Sequence, residues 1–262
     1  MHQEFIDKAI KAAKADPLIV GLAVGGSWIG KQTDEFSDID LVLVTSEPVS
    51  DSFDKMHSYA KRFGDLLNAF TGEHVGERRL LICMYDNPLL HVDIKFVTPL
   101  EFEQRVEDPV IVWDKNGTLA RIMENTKAVW PELNYQWIED RFWTWIHYGA
   151  LKIGRGELFE TIDFLSALRS MVLAPLMQIK NGQLPRGLRR VEQNFPETDL
   201  EQLKQTIPEY SVKSICESVT KTIEIYRSLR QILYTDEIIL RKDTEAKCVA
   251  YLNQVIARVE GK

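Results

Sequence analysis

The sequence predicts an α+β fold in two parts: an α/β half with a mixed sheet, residues 1–130, then an all-α helical bundle, residues 131–262. Three observations carry that expectation. Short apolar runs bounded by turn residues recur through the first half, as buried strands do. Helical periodicities lie between those runs. From about Tyr135 onward no strand pattern is found, and long amphipathic stretches take over.

The elements follow in order. Residues 3–15 place Phe5, Ile6, Ala9, Ile10 and Ala13 on one helical face, and Asp16-Pro17 stops that helix. Leu18 to Val24 is a short apolar run closed by Gly25-Gly26, a buried strand and a tight turn. Ile39 to Val44 is a second strand. Ser52 to Phe70 has helical period. Leu80–Met84 and Leu89–Val97 are strands separated by the turn signal Asp86-Asn87-Pro88. Pro99 suits the first turn of a short helix. Val110 to Trp113 is a further strand, closed by Asp114-Lys115-Asn116-Gly117. In the second half the helical runs cover about 136–154, 157–181, 198–206, 211–233 and 236–260, punctuated by Asn181-Gly182, Pro185 and Pro196.

Composition narrows the function classes. The 262 residues are 45% hydrophobic and 27% charged, which fits a globular protein and excludes disorder. Lys and Arg total 32 against 39 Asp and Glu, a formal charge of −7. Nucleic-acid binding needs clustered positive charge, so no nucleic-acid partner is expected. No run of 18 apolar residues and no signal-peptide pattern is found, so neither a membrane partner nor export is expected. Cys83, Cys216 and Cys248 lie far apart with no Cys-x-x-Cys spacing. They read as reduced thiols of a cytoplasmic protein rather than a disulfide or zinc framework.

The stretch that carries chemistry is Gly25-Gly26-Ser27, then Asp38-Ile39-Asp40 opening an apolar strand. Residues i and i+2 of a strand point to one side, ~6.5–7 Å apart. Two carboxylates so placed repel each other and resist burial unless a cation lies between them. Mg²⁺ removes that conflict and is usually held by one or two carboxylates plus substrate phosphates. Asp93 adds a third carboxylate. In Leu89–Val97, Leu90, Val92, Ile94 and Phe96 form one face, and His91, Asp93 and Lys95 the other. If that strand neighbours the one carrying Asp38 and Asp40, the three carboxylates converge and suffice to bridge two metal ions. Gly25-Gly26-Ser27 supplies a phosphate cradle, since glycine lets backbone amides approach an anion closely.

Simpler readings stand beside these. Ser37-Asp38 can cap a turn, Asp40 can be a charged strand entry, and Asp93 can face solvent beside His91 and Lys95. Gly25-Gly26 and Ser27 can form a plain turn. His91 reads as an exposed or satisfied histidine. Trp137, Phe142, Trp143, Trp145 and Tyr148 read as core packing before a ring-stacking surface. The basic segment Pro185 to Arg190 reads as a solvated loop before a triphosphate site. Lys152, Arg155 and Arg169 read as surface charges before phosphate ligands.

Taken together, Gly26-Ser27, Asp38-Ile39-Asp40 and Asp93 resemble the signature of the DNA polymerase β-like nucleotidyltransferase superfamily. The helical second half is similar to that of its antibiotic branch, the lincosamide and aminoglycoside adenylyltransferases. The resemblance implies transfer of a nucleoside monophosphate, AMP above all, from a nucleoside triphosphate such as ATP to a hydroxyl of a small molecule, with release of pyrophosphate. It implies that Asp38, Asp40 and Asp93 hold two Mg²⁺ ions, with Asp93 beside the acceptor as metal ligand or general base. It implies nucleotide binding by Gly26 and Ser27, with Lys31 in comparable ground after the turn. Two other expectations remain open: a catalytically silent or antitoxin-like nucleotide-binding protein, and an enzyme of this fold that nucleotidylates a protein.

Overall fold

The computed structural model describes residues 2–261. The chain forms two compact units, Met1–Pro131 and Glu132–Lys262.

The first unit opens with α1 (His2–Lys14), whose Phe5, Ile6, Ala9 and Ala13 are buried. Asp16 ends that helix: its Oδ1 accepts the Leu18 amide at 2.8 Å, and its other oxygen accepts Arg62 Nη1 at 2.6 Å. Then come β1 (Ile19–Val24), β2 (Ile39–Thr45), α2 (Phe53–Ala60), β3 (Asp65–Gly72), β4 (Glu77–Asp86) and β5 (Leu90–Val97). The unit closes with α3 (Pro99–Phe102), β6 (Val110–Asp114) and α4 (Thr118–Asn125). Thr98 starts α3 with a capping box, exchanging bonds with Glu101 ahead of Pro99.

The sheet is mixed, in the order β3-β4-β5-β2-β1-β6. Its one parallel pair, β2 with β5, lies at the centre, and the other pairs are antiparallel. Each face has its own cover. On one, Phe5 and Ile6 of α1 and Met56 and Tyr59 of α2 pack over Leu22, Ile39, Leu41, Val92, Ile94 and Phe96. Each large apolar side chain fully buried there contributes about 1.5–3 kcal/mol. On the other, Phe102 of α3 and Leu119 of α4 cover Ala23, Val44 and Val97. That second cover sits toward the C-terminal ends of β2 and β5, away from Asp40 and Asp93 near their starts.

The stretch after β2 departs from the sequence expectation. The helical period over Ser52 to Phe70 ends early: α2 stops at Ala60, and residues 65–72 form the edge strand β3. Phe63, Leu66 or Leu67, and Phe70 are spaced like a helical stripe. The chain turns over residues 61–64 after the C-cap at Lys61, and pairing with β4 holds the rest extended, from Asp65 opposite Asp86 to Thr71 opposite Leu81. As an edge strand β3 is poorly buried on both faces, so it lacks a clear two-residue alternation.

The second unit is helical: α5 (Tyr135–Arg155), α6 (Leu158–Leu168), a π-helical turn (Arg169–Leu173), α7 (Ala174–Lys180), α8 (Val191–Asn194), α9 (Glu197–Lys204), α10 (Val212–Leu233) and α11 (Lys242–Glu260). Phe142, Trp143 and Ile146 of α5 share one core with Leu165 and Leu168 of α6, Val219 and Tyr226 of α10, and Leu252 of α11. Leu158–Lys180 is long and apolar enough to cross a membrane. Ten of its 23 residues are buried, and Leu165, Leu168, Val172, Leu173, Leu176 and Met177 join that core.

The last helix starts later than the expected 236–260. Residues 234–241 are irregular because α5 satisfies their backbone instead. Gln136 receives the Ile239 amide at 2.8 Å and donates to its carbonyl at 3.2 Å, and Glu139 accepts the Arg241 amide at 2.9 Å. Cys83 and Cys216 are buried, Cys248 is partly buried, and all three are free thiols.

Candidate active site

Asp38 lies just before β2, and Asp40 is its second residue. Along the strand Ile39, Leu41 and Leu43 are buried on the face covered by α1 and α2, which leaves Asp38, Asp40 and Val42 half-buried on the other. The loop entering β2 is braced by its own side chains. Asp34 Oδ1 accepts the Phe36 amide at 3.0 Å and the Ser37 hydroxyl at 2.9 Å, and His2 Nε2 meets the Ser37 carbonyl at 2.7 Å. Ser37, in turn, accepts the Asp34 amide at 3.0 Å.

Asp93 is the fourth residue of β5, where Leu90, Val92 and Ile94 are buried and His91, Asp93 and Lys95 face the other way. Parallel pairing sets Asp40 directly opposite Asp93. Adjacent strands run ~4.8 Å apart and opposed residues point to the same face. Burial is the largest influence on Asp93 and raises its pKa above the ordinary carboxylate value; the negative charge of Asp38 raises it further, while His91 and His74 oppose the rise. His91 Nε2 lies 2.9 Å from Asp93 Oδ1. The two atoms are within ion-pair distance, yet the buried Oδ1 has no hydrogen bond.

The glycine turn meets these carboxylates. The Gly25 amide donates to the Asp40 carbonyl at 2.8 Å. Gly26 has φ +58°, and a Cβ there would stand 1.8 Å from Asp40 Oδ2. The missing side chain is therefore the space in which the Asp40 carboxylate sits. Ser27, buried within a short 3₁₀ turn over Gly26–Trp28, places its hydroxyl 3.5 Å from that of Thr33, a contact at the limit of a hydrogen bond. Trp28 Nε1 is buried without a hydrogen bond. Lys31 is exposed, in the left-handed conformation at φ +52°.

The structure thus brings Asp40 to Gly26 and to Asp93, and Asp38 within electrostatic reach of Asp93. Among the described residues, no set of three or more His, Cys, Asp or Glu side chains is arranged to hold a metal ion. The expected three-carboxylate convergence is therefore an open arrangement rather than a closed cage. The donors still fit Mg²⁺: they are hard carboxylate oxygens, one of them buried without a hydrogen bond, and Mg²⁺ ordinarily completes its shell with water and substrate phosphate.

The neighbouring cations on this face are engaged. Lys95 Nζ is 3.0 Å from Glu77, Glu77 also holds Arg79 at 2.7 Å, and Arg79 reaches Glu101 at 3.3 Å. The Arg79 guanidinium above all drives the Glu77 carboxyl down to about 2.

In the second unit the candidate cations are similarly tied. Lys152 contacts Glu157 at 2.6 Å and Glu160 at 3.1 Å, and Arg155 lies 3.9 Å from Glu157. Arg169 donates to the Thr206 carbonyl at 2.5 Å, and burial lowers its pKa. The Arg186 amide anchors the basic loop on Gln178 Oε1 at 2.7 Å. Phe142 and Trp143 are core residues, as their spacing suggests, whereas Trp137 is exposed beneath the Arg141 guanidinium, 4.3 Å from its ring centre. His74, exposed and outside the sequence expectations, has a weak electrostatic influence on Asp93. It sits in the turn Glu73–Val75 between β3 and β4, and nothing in its spacing links it to Asp93.

A family model for streptomycin adenylyltransferase matches residues 1–255. The chain belongs to that family. It is accordingly a nucleotidyltransferase of the antibiotic-modifying branch. No curated protein matches it in sequence. Among solved structures it is similar to an aminoglycoside 6-adenyltransferase from Bacillus subtilis, at 15% identity and TM-score 0.40, covering 97% of this chain and 98% of the other. It is similar to a nucleotidyltransferase-like protein from Exiguobacterium sibiricum, at 13% identity and TM-score 0.43, covering 97% and 88%. It is also similar to a spectinomycin adenyltransferase from Enterococcus faecialis solved with ATP and spectinomycin, at 11% identity and TM-score 0.35, covering 97% and 99%.

Proposed function

We propose that this streptomycin adenylyltransferase family member transfers AMP from ATP to a hydroxyl of an aminoglycoside or a related antibiotic and releases pyrophosphate. The observation that carries the site assignment is the pairing of Asp40 with Asp93 across the parallel strands, with Asp38 near enough to perturb Asp93. In this reading Asp38, Asp40 and Asp93 would hold Mg²⁺. Mg²⁺, when bound, screens the triphosphate and stabilises charge developing on the transferred phosphoryl group.

This chain's residues do the rest. The amides of Gly26 and Ser27 and the Ser27 hydroxyl bind the β- and γ-phosphates, with the Gly25 amide held on the Asp40 carbonyl, and Lys31 supplies an ammonium after the turn. Asp93 is the general base. It stands opposite Asp40 across the parallel strands, on the polar face of β5 where an acceptor hydroxyl would come within hydrogen-bond reach. The acceptor hydroxyl gives its proton to Asp93, and its oxygen bonds the α-phosphorus. The α–β phosphoanhydride bond breaks, and pyrophosphate leaves.

The test is incubation with labelled nucleoside triphosphates, Mg²⁺ and a panel containing streptomycin, spectinomycin and other aminoglycosides, alongside cell lysate. Pyrophosphate release with an added AMP mass on one antibiotic supports the reading. Label on a protein band, or no label with any acceptor, overturns it.

A further inference from the structure

Asp93 presents an unusual balance. Its side chain is 22% exposed, yet Oδ1 is buried and without a hydrogen bond. That leaves Oδ2 as the oxygen able to face an acceptor. A buried carboxylate oxygen needs a partner to hold its charge and its orientation.

The elements around it offer few partners. From β4, Ile82 stands opposite Asp93 and Met84 opposite His91, and neither can donate a hydrogen bond. From β2, Asp38 and Asp40 bring only negative charge. On β5 itself, Lys95 is engaged by Glu77 at 3.0 Å. His74, exposed in the turn after β3, is the weakest of the electrostatic influences on Asp93. His91 remains, two residues before Asp93 on the same face, with Nε2 2.9 Å from Oδ1. A modest rotation of its ring directs an N–H at that oxygen.

We infer that His91 is the positioning residue of Asp93: it pins Oδ1 so that Oδ2 is presented to the acceptor hydroxyl. It touches neither substrate nor metal in this role and acts through Asp93. The inference rests on the reading of Asp93 as general base. His91 is 43% exposed, so its replacement leaves the core untouched.

The experiment compares wild type with H91A, H91Q and D93N. Glutamine can return an amide N–H to about the place of Nε2. Crystal structures of the variants are expected to show the Asp93 carboxylate in more than one orientation in H91A and in the wild-type orientation in H91Q. With the antibiotic that wild type labels, H91A is expected to lose about 10- to 100-fold in kcat, the usual cost of removing a supporting partner. KM for ATP and for the antibiotic stays within about twofold, and H91Q restores most of kcat. A single wild-type orientation of Asp93 in H91A, or a wild-type kcat, overturns the role of His91. Wild-type turnover in D93N instead overturns the reading of Asp93 itself, whatever H91A does.

Discussion

Asp40 and Asp93 stand opposite one another on the central parallel strands, 53 positions apart in the chain and in direct register in the sheet. That pairing turns two isolated acidic positions into one site. Asp40→Asn keeps the shape and removes the charge. Loss of several kcal/mol of metal-derived stabilisation corresponds to a fall in turnover of about 10³. Circular dichroism and the melting temperature should be unchanged, and pyrophosphate release should fall by that factor. Wild-type release would remove Asp40 from the site.

Gly26 lies beneath the same carboxylate. Gly26→Ala adds a Cβ 1.8 Å from Asp40 Oδ2, in a backbone conformation at φ +58° that costs a non-glycine residue about 1–2 kcal/mol. The variant is expected to melt at lower temperature and to lose turnover together, since relief of the clash must displace Asp40. A stable variant with full activity would show that the contact has no consequence.

Glu77 links the site to the fold's stability. Its carboxyl titrates at about 2 rather than the ordinary 4.5, chiefly because of Arg79, with Lys95 adding to it. A lowered pKa means the folded state favours the charged form, so the contribution is present above about pH 4.5 and disappears as the pH falls toward 2. Discounting for solvent screening leaves about 1–2 kcal/mol. Glu77→Gln should therefore unfold at lower denaturant than wild type at pH 7, and the two should converge near pH 2. A constant difference across that range would sink the assignment.

In the helical unit, Glu139 is fully buried among Trp143 Nε1 at 3.2 Å, Tyr226 Oη at 2.7 Å, Arg230 Nη1 at 3.1 Å and the Arg241 amide at 2.9 Å. Glu139→Ala strands those donors, including a guanidinium that is mostly buried. Removing one member of a buried ion pair costs about 3–5 kcal/mol. Chemical denaturation should show a loss of that order, with Glu139→Gln closer to wild type because it retains part of the hydrogen bonding. A loss below about 1 kcal/mol for the alanine variant would mean the network is replaced by water.

Much of the fold was legible along the chain. The amphipathic face of α1, the apolar runs of β1, β2 and β6, the alternation of β5 and the long helical periods after Tyr135 each report local burial. Local burial is what periodicity encodes. The edge strand β3 was not legible, because little of it is buried and its apolar residues mimic a helical stripe. The loop before α11 was not legible either, because its backbone is held by Gln136 and Glu139 about a hundred positions away.

The candidate site divides along the same line. By itself the sequence determined which side chains could carry chemistry: Gly26 and Ser27 after a first strand, Asp38 and Asp40 at the start of a second, and Asp93 on the polar face of a later one. Only the tertiary structure decided that β2 and β5 are parallel neighbours, that Asp40 meets Asp93, that Gly26 makes room for Asp40, and that the His91 ring lies against Asp93. The physical reason is that strand order and register are set by long-range backbone pairing and by the packing of α1 and α2 across the sheet. A strand's own residues state which of its faces is buried, and leave unstated which strand it will lie beside.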